Sequence, residues 1–263
     1  MNFGEVQYGN IFADEGAVLS YNGSATWPND GNPINAFDWF DWTVARVTSG
    51  AANTWVKVVL PEDTTLDRLT VYLAPLASAK AINLQVETGV GTDVWTTVAT
   101  INFVASSANQ CRGAAFVEVP VNAGVGVRVI WPTARATPGF RQLYAGGHTT
   151  FEIGQYQGIA PPKLTQDVIV TNSIAVNGSI LGRDVRRVTR SNTIDLSPLS
   201  PGWVRDTWEP FVAHATRQAF FWSWAPELYP DDITFAAAES INAPTNTSPS
   251  PKMAVQMPLR TVI

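Results

Sequence analysis

The chain has 263 residues, 45% hydrophobic and only 15% charged, with a formal net charge of −5. That apolar content excludes wholesale disorder. Residues 1–150 carry 8 basic against 12 acidic side chains and residues 151–263 carry 9 against 10, so neither half is built to bind nucleic acid through its charge.

The length accommodates two domains, and Gly 19, Pro 18 and Trp 10 point to a turn-rich β protein with large aromatic contacts. Cys111 stands alone, so no intrachain disulfide can form, and a buried thiol outweighs a reactive one. The start, MNFGEVQYGNIFADEG, lacks the basic and apolar segments of a secretory signal, and no stretch has the apolar length of a membrane span. Synthesis in a cytoplasm is expected.

Apolar runs at Phe3–Tyr8 and Ala17–Tyr21 read as a first strand or arm, followed by an Asn-, Gly-, Pro- and Asp-rich loop over 22–35. Strands are predicted at Trp55–Leu60, Leu69–Leu73, Ala81–Thr88, Val94–Phe103, Phe116–Val121 and Val125–Trp131, separated by turn signals and by no helix. Strands at this spacing form an antiparallel sandwich.

Asn35 to Tyr72, with its N-x-x-D loop and Trp42-Thr43 pair before W-V-K-V-V-L-P and L-T-V-Y, resembles the discoidin group of galactose-binding-like jelly rolls. Trp95 to Val98 and Arg128-Val-Ile-Trp131 continue the likeness over about 130 residues, although Cys111 alone cannot make the terminal disulfide often found there. The resemblance implies ligand loops at one end of the sandwich, with a glycan as ligand and sometimes a structural calcium. Trp27, Trp39, Phe40 and Trp42 can then stack on a sugar ring, or serve as core and edge residues, the commoner fate of aromatics. Asp38 and Asp41, with Asn35 and Asp30, can supply hard oxygen ligands for calcium, or act as caps and turn formers. No other cofactor is expected.

Ile159-Ala-Pro-Pro-Lys163 reads as a stiff linker, which puts a domain boundary near Gly158: a sandwich over 1–158 and a second domain over 159–263. Phe151 to Gln157 can complete the sandwich. Short strands follow at Asp167–Val170 and Ser173–Val176, then the turn Asn177-Gly178. Arg183, Arg186, Arg187 and Arg190 cluster here, but Asp184 and Asp195 lie close, and a solvated face or intersubunit salt bridges fit the pattern better than nucleic acid.

Ser200-Pro201 is a helix start, and Val204, Trp208, Phe211, Val212 and Ala215 align on one helical face, with a kink at Pro210. Ala219 to Trp224 follows as a strand with Phe220, Trp222 and Trp224 on one face and Phe221 on the other. Two apolar faces suit either a core or a contact with another subunit.

Residues 180 to 235, with Ile180-Leu-Gly-Arg183, Thr193-Ile-Asp-Leu196, Trp203 to Trp208, Phe220 to Trp224 and Tyr229-Pro230, resemble a module of tailed-bacteriophage tail proteins. The likeness implies a mainly β chain: an N-terminal β-sandwich jelly roll and a C-terminal tail-tube-like split β-barrel with one short kinked helix. It implies a structural virion protein of the tail tip or baseplate, similar to distal tail proteins. Such a protein forms a hexameric ring, or a trimer as a hub adaptor, between tail tube and hub proteins. Trp203, Trp208, Phe211, Phe220, Phe221, Trp222 and Trp224 would then hold the domain and its subunit contacts. The alternative is a carbohydrate-binding adhesin or decoration protein attached to the virion.

No enzyme is expected. His148 and His214 are the only histidines and neither has ligand spacing around it, while no nucleophile elbow or phosphate loop appears.

Overall fold

The computed structural model describes residues 4–8, 18–21, 45–46, 54–59, 66–73, 80–89, 91–103, 114–121, 126–131, 139–146, 148–154, 161, 167–229, 232–247 and 251–261. It is mainly β with one short helix. The chain divides into two compact units, Val6–Thr149 and, with Met1–Glu5, Thr150–Ile263. The expected boundary at Gly158 lies outside the described residues. The chain passes between the units within two short strands, β1 (Glu5–Gln7) and, further on, β11 (His148–Thr150).

Among the described residues nine strands build the N-terminal unit's two sheets: β2 (Val18–Tyr21), β3 (Ala45–Arg46), β4 (Thr54–Val59), β5 (Leu66–Leu73), β6 (Lys80–Glu87), β7 (Trp95–Phe103), β8 (Ala114–Val121), β9 (Gly126–Trp131) and β10 (Gly139–Gly146). They form two antiparallel sheets, in the orders β3-β10-β5-β8 and β2-β4-β9-β6-β7. Alternation in β4 explains why they layer. Thr54, Val56 and Val58 are buried while Trp55, Lys57 and Val59 are half-buried on the opposite face. Val56 faces Val129 across the strand pair, and Val129 faces Leu84 in turn. All three are fully buried, so one face of the five-stranded sheet is core and the other is outward.

The C-terminal unit contains β12 (Asp167–Ile174), β13 (Ile180–Leu199), β14 (Phe220–Ser223), β15 (Ile233–Ala238), β16 (Thr245–Asn246) and β17 (Met253–Thr261). From β14 the sheet runs β14-β15-β17-β13-β12, with β16 on β17. Among the described residues it ends at β12 and does not close, so the expected split barrel is not confirmed. The strands expected at Asp167–Val170 and Ser173–Val176 are one strand, followed by a turn in which Gly178 adopts φ +84°. Here the β-branched run outweighs the polar Thr171-Asn172 interruption.

The helix runs from Pro201 to Ala215 in three pieces: α1 (Pro201–Trp203), a π turn over Val204–Trp208 and α2 (Glu209–Ala215). The Ser200 hydroxyl accepts the Trp203 N–H at 3.3 Å. Pro210 lacks an N–H for the preceding turn, and at the junction Glu209 bonds five residues back to Val204. The irregularity falls where the proline predicts it. Val204, Trp208, Phe211 and Ala215 are buried and Val212 is half-buried, which sets one helical stripe against the sheet. Phe211 meets Phe220 edge-on with 4.8 Å between ring centroids, and Phe221 meets its cross-strand partner Phe235 at 4.9 Å. Among the described residues, no helix is long and apolar enough to cross a membrane.

Candidate functional site

The outward face of the five-stranded sheet carries the chemistry. Pairing registers put Ser20, Lys57, Arg128, Gln85 and Thr97 in one row across all five strands. Three of these side chains are hydrogen-bonded in sequence: Arg128 Nε donates to Gln85 Oε1 at 2.6 Å, and Gln85 Nε2 donates to Thr97 Oγ1 at 3.0 Å. In the neighbouring row Thr100 donates to Asn83 at 3.0 Å.

Trp95 lies beside this ladder at the start of β7, half-buried. Its ring centroid is 4.2 Å from the Arg128 guanidinium carbon and 4.9 Å from Lys57 Nζ, both within cation–π range. The indole N–H donates to Asp93 Oδ1 at 2.8 Å. Asp93 is set for that bond by the β6–β7 turn, where Gly91 and Asp93 adopt φ +67° and +53°. Asp tolerates the left-handed region better than most residues.

Glu87 anchors the turn from below. It is buried, and its two oxygens accept backbone N–H groups from Asp93 at 2.6 Å and Gly126 at 3.2 Å. Gly126 is glycine for a steric reason. A Cβ there would stand 2.8 Å from Glu87 Oε2, 2.9 Å from Trp95 Cη2 and 3.1 Å from Lys57 Cε.

The electrostatics are balanced. Lys57 Nζ is 4.0 Å from Asp93, and burial pulls the Arg128 guanidinium below its ordinary value while Asp93 opposes that shift. Two cations, the Asp93 carboxylate, an indole and planar amides thus share one surface, with Glu87 buried beneath it. Such a surface can offer an aromatic face and directional hydrogen bonds to a polar ligand. Among the described residues no adjacent nucleophile and base are present on it.

The sugar-stacking candidates Trp27, Trp39, Phe40 and Trp42 lie outside the described residues, as do the calcium candidates Asp38 and Asp41. Among the described residues no three His, Cys, Asp or Glu side chains gather as a metal site. Of the aromatic set in the C-terminal unit, Trp208, Phe211, Phe220, Phe221 and Trp222 are buried within the chain, while Trp203 and Trp224 are half-buried. In the sequence Trp95 carries only the fold likeness, and its place beside this row follows from the strand pairing. The available signal was a charged residue at alternate positions in otherwise apolar strands, Lys57 in WVKVV and Arg128 in GVRVIW.

No protein family matches the chain. No curated protein matches it either. Among solved structures it is similar to chitosan-binding module 1 of a chitosanase/glucanase from Paenibacillus sp. IK-5, with 20% identity over 53% of this chain and 100% of that one, at a TM-score of 0.41. An F5/8 type C domain from Bacteroides fragilis is similar at 16% identity and TM-score 0.41, covering 55% and 97% of the two chains. CBM32-1 from a family 31 glycoside hydrolase of Clostridium perfringens follows at 12% and 0.40, covering 53% and 99%. Identities and scores this low assign neither ligand nor family, and these neighbours give no support to the phage-tail expectation.

Proposed function

We propose that the chain is a carbohydrate-binding adhesin: the N-terminal sandwich holds a surface glycan without chemical turnover, and the C-terminal unit attaches it to a larger assembly. The observation that carries this reading is the Trp95 face, where an indole stands beside the hydrogen-bonded row Arg128, Gln85 and Thr97. The discoidin-like order of motifs from Asn35 to Trp131 supports it. The narrower virion role, as a distal tail protein in a phage tail tip, draws on the likeness of residues 180 to 235 alone.

The test is calorimetric titration of the full chain with a panel of neutral, amino and acidic oligosaccharides. Gln85→Ala is expected to weaken binding at least tenfold without loss of folding. If Trp39→Ala or Trp42→Ala abolishes binding and Gln85→Ala does not, the ligand sits on the loops instead. If no glycan binds, the reading falls.

A further inference from the structure

The first half of β13 leaves the sheet. Arg190 to Leu199 pair with β17, but among the described residues Ile180 to Thr189 have only β12 beside them, which makes residues 167–189 a two-stranded ribbon at the sheet's end. Isolated ribbons of this kind are marginal in water.

The ribbon is two-sided. Register places Val170, Asn172 and Ile174 opposite Val185, Arg183 and Ile180 on one face, with Thr171, Ser173, Gly182 and Asp184 on the other. The apolar side faces solvent: Ile174 is 64% exposed, Ile180 68%, Leu181 73% and Val185 52%, and Val176 in the turn is fully exposed. Five such side chains offer on the order of 400 Å² of apolar area, near the size of a functional patch.

Among the described residues, the only other exposed large apolar side chains of this unit are Leu228 and Tyr229. They occupy a turn that is already rigid, because the Leu228 and Tyr229 N–H groups bond to the Ala225 carbonyl and Tyr229 stacks on Trp224 at 5.1 Å. The charges are complementary. The segment 167–190 has four arginines against two aspartates, whereas Ala225 to Asp232 has Glu227, Asp231 and, buried and accepting the Trp224 indole N–H, Asp232, with no cation. Glu227 is exposed next to Leu228, and Arg183 lies on the ribbon's apolar face.

We propose that the β12–β13 ribbon is an intersubunit arm that docks its apolar face on the Glu227–Tyr229 turn of a second copy of this chain. Arm and turn are different surfaces of one unit, so the contact is either exchanged reciprocally in a two-fold dimer or repeated head to tail, which makes a ring if the rotation closes. It is independent of any glycan.

The test needs no ligand: analytical ultracentrifugation of the full chain at up to about 100 µM, enough to populate contacts with micromolar Kd. Wild type is expected to associate, and Ile180→Ser with Leu181→Ser is expected to weaken association at least tenfold with an unchanged circular dichroism spectrum. Arg183→Glu is expected to weaken it as well, and Glu227→Arg added to Arg183→Glu to restore it. A monomeric wild type, or association that survives both ribbon variants, would overturn the proposal. The Arg183→Glu and Glu227→Arg pair keeps the test decisive if the serine variant misfolds.

Discussion

The Trp95 ring lies 4.2 Å from the Arg128 guanidinium carbon, although their strands β7 and β9 are separated by β6. The indole reaches across because Gly126 leaves the space beneath it open. Arg128 also donates to Gln85 on the intervening strand, so stacking and hydrogen bonding act on one cation. Arg128→Met keeps much of the stem but loses both, and should lower stability by about 1–2 kcal/mol in urea denaturation. Arg128→Lys keeps the charge without the planar fork and should fall between the two. An Arg128→Met protein as stable as wild type would show that the stack contributes nothing.

Gly126→Ala brings a methyl to 2.8 Å from a buried carboxylate oxygen and 2.9 Å from the indole edge. Either Trp95 lifts from the sheet or Glu87 gives up its bond to the Gly126 N–H. We expect a loss of about 1–3 kcal/mol by thermal or urea unfolding, in the range of overpacking. Gly182→Ala is the matched control: nothing lies within 4 Å of a Cβ there, and its stability should change by less than about 0.5 kcal/mol. Equal effects at the two glycines would refute the steric account.

Local pattern reveals much of this fold. Alternation in Thr54–Val59 and the turn-bounded runs of the N-terminal half place most of its described strands to within a few residues, though not β3 or β10, and Ser200-Pro201 marks the helix start. Pro210 marks its irregularity. Long-range pairings are not legible in the same way. The Phe151 N–H donates to the Gly4 carbonyl at 2.8 Å, a contact between residues almost 150 positions apart that no local signal announces. The length of β13 was hidden too, because its two halves pair with different strands. At the site, the Lys57–Arg128–Gln85 row depends on the register of three strands, and register is a tertiary property. The two apolar faces of Phe220–Ser223 read equally as core or contact surface, and both are buried within the chain.

His214 near the end of α2 supplies a pH dependence. Burial pulls its imidazole below the ordinary value of 6.5, while a backbone hydrogen bond with Ala219 partly opposes the shift. The folded chain therefore takes up a proton at this side chain less readily than the unfolded chain does. Stability from this group is fully present above about pH 6.5. It is lost as pH falls from there through the lower folded value, and it changes no further below that. Most carboxylates titrate at lower pH, so His214 acts in the window between about pH 5 and 7, and its substitution separates its share from any other histidine's. Urea midpoints of wild type should decline across this window as the pH is lowered, and His214→Gln should flatten the decline. A wild-type midpoint that rises on acidification there would mean that the folded state favours the imidazolium, contrary to the burial of the ring.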